Sequence, residues 1–104
     1  MALRNWGFIY TGRGQDPSRD RAVIGSPECR CIAVGVESAA QGVEVARQLV
    51  AEGVQLIELC GGFGPVGTAR IIEAIGGAVP VGAVAYGPES VSAVHAIFAT
   101  PVTD

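Results

Sequence analysis

VAEGVQLIELCGGFGP, running from Val50 to Pro65, is the stretch on which the fold turns. Gly53 closes a helix, residues 54–60 form an apolar strand, and Gly61-Gly62-Phe63-Gly64 leads into Pro65, a residue suited to the first turn of another helix. A strand held between two helices is the repeating unit of a parallel sheet.

Working outward, Ser38 begins the upstream helix, and Gln41 three residues on completes a capping-box pattern. Ala39, Val43, Ala46 and Val50 recur at the helical period, with Gln41, Glu44, Gln48 and Glu52 opposite them. Before it, residues 30–36 read as an almost wholly apolar strand, as expected when both sheet faces are covered. Residues 5–11 form the first strand, with Trp6, Phe8 and Tyr10 on one face and Gly7, Ile9 and Thr11 on the other. Asp16-Pro17 predicts a short helix over 17–24, stopped by Gly25 and Pro27. Downstream, the helix after Pro65 turns Ile71, Ile72 and Ile75 inward and ends at Gly76-Gly77. Residues 79–86 are the last strand, and Gly87-Pro88 opens a helix with Val91, Val94 and Phe98 as its apolar stripe. The tail after Pro101 is expected to fray.

The pattern is β-α repeated four times, which predicts one α/β domain over residues 1–104. The expected architecture is a three-layer sandwich of four mainly parallel strands. Its strand order is 2-1-3-4 if flavodoxin-like, with half of a (β/α)₈ barrel as the related arrangement.

Composition narrows the function classes. Apolar residues make up 49% of the 104 and aromatics 6%, so the core is built from aliphatic layers. A chain of this length buries only about 60–70% of its unfolded surface, so an apolar excess predicts a homo-oligomer. The net charge is −3, and all seven basic residues are arginines. That excludes Schiff-base and lysine-anchored pyridoxal chemistry and argues against nucleic-acid binding. No apolar run approaches the roughly 20 residues needed to cross a bilayer, and the first residues lack a signal-peptide pattern. Three cysteines, an odd number, fit a reducing compartment, so a cytoplasmic location is expected. Cys29 and Cys31 lack the spacing of a zinc knuckle, and with a single histidine, His95, no metal or other cofactor is predicted.

In open α/β sheets ligands bind beyond the carboxyl ends of the strands, where the strand order reverses. The predicted order sets two glycine-rich loops face to face there, Thr11 to Gly14 and Cys60 to Gly64. The amides of Gly61, Gly62 and Gly64 can hold a small anion at the helix start, with Arg13 as a fork; alternatively, these glycines only make tight turns. Glu58 stands in an otherwise apolar strand, where a carboxylate is either paired structurally or raised in pKa for proton transfer. Cys60, on the same face, is either a reactive thiol or a small buried residue. Tyr10 and Tyr86, each near a strand end, either hydrogen-bond a ligand or cap the core. His95 reads as a helix-surface or interface residue.

Ile57-Glu58-Leu59-Cys60-Gly61-Gly62-Phe63-Gly64, with Val50 to Val54 and the Asp16-Pro17 crossover, resembles a family of small bacterial proteins catalogued only as a domain of unknown function. The resemblance spans most of residues 6–87 and carries no activity to transfer. Residues 53–63 are also loosely similar to strand-and-loop units of aldolase-type barrels, at the level of fold.

These residues support two functional expectations. One is a cofactor-independent lyase or isomerase acting on a small anionic organic molecule. Glu58 would transfer the proton, Arg13 and the glycine amides would hold the anion, and Cys60, Tyr10 or Tyr86 would complete the pocket. The other is a non-catalytic ligand-binding or oligomeric scaffold protein.

Overall fold

A computed structural model describes residues 2–99. The expected fraying beyond Pro101 lies outside them.

Five strands form one sheet in the order β2-β3-β1-β4-β5: β1 (Asn5–Thr11), β2 (Arg21–Gly25), β3 (Arg30–Val36), β4 (Ile57–Leu59) and β5 (Val81–Ala83). β1 lies at the centre and pairs in parallel with β3 on one side and β4 on the other, Gly7 standing level with both Ile32 and Ile57. β5 adds a further parallel strand. The four parallel strands thus take the order expected from the sequence. The fifth was not expected: β2 pairs antiparallel with β3 at the edge.

β2 occupies the segment predicted to be helical. Asp16 does cap a turn, its Oδ1 accepting from the Ser18 amide at 2.9 Å while its carbonyl accepts from Arg19 and Asp20 at 3.0 and 2.7 Å. The turn stops there. The Gly35 amide donates to the Asp20 carbonyl at 2.8 Å, so the chain passes straight into the β3 ladder. Arg21-Ala22-Val23-Ile24 then extends, as its β-branched pair favours.

The helices are α1 (Gly42–Ala51), α2 (Gly64–Ala74) and α3 (Val91–Ala99), each entered through one 3-10 turn. α1 and α2 both lie on the face of Gly7 and Ile9. Leu49 of α1 and Ile71 of α2 share one fully buried cluster with Ile9, Ile32, Val34, Ile57 and Leu59. The crossovers from β3 to β4 and from β4 to β5 run in the same direction, and a common hand sets both helices on one side. Gly7 is required here, since a Cβ on it would stand 2.8 Å from Leu49 Cδ1.

The expected three-layer sandwich is therefore corrected to two layers. The opposite sheet face carries Trp6, Phe8 and Tyr10 of β1, Cys31 and Ala33 of β3, Ala22 and Ile24 of β2, and Glu58 of β4. Among the described residues no helix buries a side chain against it. The apolar character of β3 thus reflects one covered face and one half-covered face rather than two buried ones.

Three helical stripes are also corrected. The centre of the α1 contact is Val45, Ala46 and Leu49, with Val43 and Val50 at its margins. Ser38 makes no side-chain cap, and Gln41 Oε1 accepts from the Glu37 amide at 2.8 Å rather than from that of Ser38, so the expected box does not form. In α2, Ile71 is buried and Ile75 packs beside it, while Ile72 is exposed. In α3 no residue is buried, and Val91 and Phe98, expected to face the core, are exposed.

Candidate functional site

The carboxyl ends of β1 and β4 meet at Cys60. Its amide donates to the Ile9 carbonyl at 3.1 Å, extending the pairing one residue past β4. The Thr11 amide donates to Cys60 Sγ at 3.2 Å, and the Thr11 hydroxyl lies 3.5 Å from the same sulfur. Cys60 then opens the Gly61–Phe63 turn that leads into α2. The Gly61 and Gly62 amides stand at the start of that turn, where amides have no partner from a preceding turn.

Close approach favours glycine at Gly62 and leaves little room at Gly61. A Cβ at Gly62 would run into the Thr11 hydroxyl, and one at Gly61 would lie 3.1 Å from the Tyr86 ring. The Tyr86 ring therefore rests against the Gly61 backbone. Together Thr11, Cys60, Gly61, Gly62 and Tyr86 line a pocket of about 460 Å³, with Val94 and Phe98 of α3 as its apolar wall. An adjoining apolar hollow of about 630 Å³ shares Gly61 and Tyr86 and adds Gly64 and residues of α2.

Four candidate residues thus come together at one pocket: Cys60, Gly61, Gly62 and Tyr86. Gly64 stands in the neighbouring hollow. The remaining three candidates lie elsewhere. Glu58 is exposed on the open sheet face, level with Phe8 and Gly82, and borders a separate hollow with Ala83 and Val84. Glu58 is therefore not closed off in the core, because its side chain points to the uncovered face. Tyr10 is on that face too, its ring 6.1 Å from Phe8, and its hydroxyl donates to Gln15 Oε1 at 3.3 Å. Arg13 is exposed in the loop after β1 and lines none of these hollows.

Thr11, Val94 and Phe98 line the pocket but were not among the candidates. Thr11 carried a usable signal, the terminal position of the central strand. Val94 and Phe98 did not, because an apolar stripe on a helix reads first as core.

The three cysteines are free. Burial chiefly, then the negative charges of Glu58 and Cys29, raise the Cys31 thiol above its ordinary value. Among the described residues no group of three or more His, Cys, Asp or Glu could hold a metal ion, and no helix is long and apolar enough to cross a membrane.

No curated protein and no solved structure matches the chain. A family model does match, over residues 4–99, and the chain accordingly belongs to DUF6506, a family of unknown function.

Proposed function

We propose that this protein binds a small organic anion with an apolar body in the pocket between Thr11, Cys60 and Tyr86. The observation that carries the reading is that Thr11, Cys60, Gly61, Gly62 and Tyr86, at the carboxyl ends of the parallel strands, line one pocket with Val94 and Phe98 as its apolar wall. The pocket volume of about 460 Å³ suits a small organic molecule. The anionic group meets the Gly61 and Gly62 amides, which the following helix makes favourable for negative charge. The body lies against Val94, Phe98 and the Tyr86 ring. Arg13 has no part in this reading, since it does not line the pocket.

A second reading is a cofactor-independent lyase or isomerase with Glu58 as the proton-transfer group. It is favoured by one observation, that Glu58 is open to solvent beside Val84, two residues before Tyr86.

A thermal-shift screen of small carboxylates, phosphates and carbonyl compounds separates the two, because a ligand bound only by the folded state raises the melting temperature. Compounds that stabilise the wild type and Glu58→Gln equally, but not Tyr86→Ala, support the binding reading. Loss of the shift in Glu58→Gln, with turnover of the same compound by the wild type, supports the catalytic one. If no compound shifts the wild type, both fail.

A further inference from the structure

We infer that this protein is a two-fold dimer in which α3 of each copy lies on the open sheet face of the other, supplying the layer the monomer lacks. The inference is independent of the pocket's ligand.

Two surfaces of the same chain are incompletely covered. The first is α3, Val91 to Ala99, which has no Asp, Glu, Lys or Arg and no buried residue; Ile97 is 69% and Phe98 76% exposed. Apart from Ser92 and His95 its residues are apolar, a surface that is stable when buried, and here the chain itself half-buries Val94 alone. The second is the open half-face made by β1, β3 and β2. On it the small residues Cys31 and Ala33 form a trough between the aromatic ridge of Trp6, Phe8 and Tyr10 and the exposed Ile24 of the edge strand. A trough of small side chains between ridges receives a helix. Within the strands the one charged side chain on this face is Glu58, on β4, outside the trough and at its rim. Depletion of charge at the centre with an acid at the rim is the composition of a protein interface.

The chain as a whole exposes a surplus of surface. The chain exposes 6655 Å², whereas a compact monomer of its mass would expose about 5,500 Å². The surplus of roughly 1,100 Å² exceeds the roughly 800 Å² that each partner contributes to a standard interface. The radius of gyration agrees, at 14.4 Å against about 13 Å for a compact chain of this length. A second copy is the occupant that supplies both an uncovered helix and an uncovered face in equal number, which an isologous two-fold contact satisfies at once.

The test is the solution mass of the full chain by light scattering after size exclusion, with two variants outside the ligand pocket, Ile97→Asp on α3 and Ala33→Arg in the trough. The expected result is a wild type of twice its 10.6 kDa mass and two folded variants shifted to monomer, with unchanged far-ultraviolet circular dichroism. Should one variant lose its fold, the other still decides. Oxidative cross-linking of an Ala33→Cys chain with an Ile97→Cys chain is expected to give a disulfide between copies. A monomeric wild type, a dimer that survives both substitutions, or cross-linking of Ala33→Cys only to itself would overturn the proposal, the last pointing to sheet stacked on sheet.

Discussion

At Gly62 the backbone of the loop passes so close to the Thr11 hydroxyl that no side chain fits between them. Gly62→Ala is therefore expected to lower stability by about 1–3 kcal/mol, as overpacking does, measurable as a lower urea midpoint without a change in slope. The open face offers a second check. Because the Glu58 carboxylate helps hold the Cys31 thiol in its protonated form, Glu58→Gln should speed iodoacetamide labelling of Cys31 by roughly two-fold at neutral pH in the Ile97→Asp background, where the trough is uncovered, read by peptide mass mapping. An unchanged rate would mean that the two groups do not sense each other across β1. That Cys60, Gly61, Gly62 and Tyr86 share one pocket was readable because each lies just past a strand, at the edge where this class of sheet binds ligands. The exposure of Glu58 was not readable. Its neighbours Leu56, Ile57 and Leu59 are apolar, and which of two apolar faces receives the helices is set by the hand and direction of distant crossovers, not by the strand itself.

Among the elements, β2 shows most clearly where local pattern and structure part. The Asp16 cap signal was real, but it is spent within one turn. The conformation of residues 21–25 is decided instead by the ladder that β3 offers, a pairing between distant residues that a capping motif cannot foresee. Arg21 of this edge strand also reaches the end of α1. Its Nη1 donates to Glu52 Oε2 at 3.0 Å, and a second bond joins Nη2 to Oε1. That hydrogen bonding holds the Glu52 carboxyl below its ordinary value, so the folded state binds the proton less tightly than the unfolded chain. The resulting stability is present above the unfolded carboxylate pKa and is lost as pH falls through the folded one. Glu52→Gln should cost about 0.5 kcal/mol at pH 7, a small value because water screens the pair, and the difference from wild type should vanish between about pH 5 and pH 3 in melts followed by circular dichroism.

For the molecule as a whole, the parallel order came through from the alternation of strands and helices, whereas the number of layers did not. The count of helices fits three layers, yet two of them share a face and the third covers neither. If the missing layer comes from a second copy, the melting temperature should rise with protein concentration, by mass action, in the wild type and not in Ile97→Asp. A flat dependence in both would describe a self-sufficient two-layer monomer. The central position of β1 bears on how the chain is made. β1 precedes both of its partners, so this aliphatic, aromatic-rich segment has no neighbour until residues 30–36 are made, and one of its edges stays open until residues 57–59 follow. Its pairing closes loops of increasing length, an order of events that slows folding and leaves the nascent protein exposed to wrong partners. The same arrangement makes the amino-terminal segment the keystone of the sheet, and a chain trimmed past Thr11 would hold two strand pairs with nothing to join them.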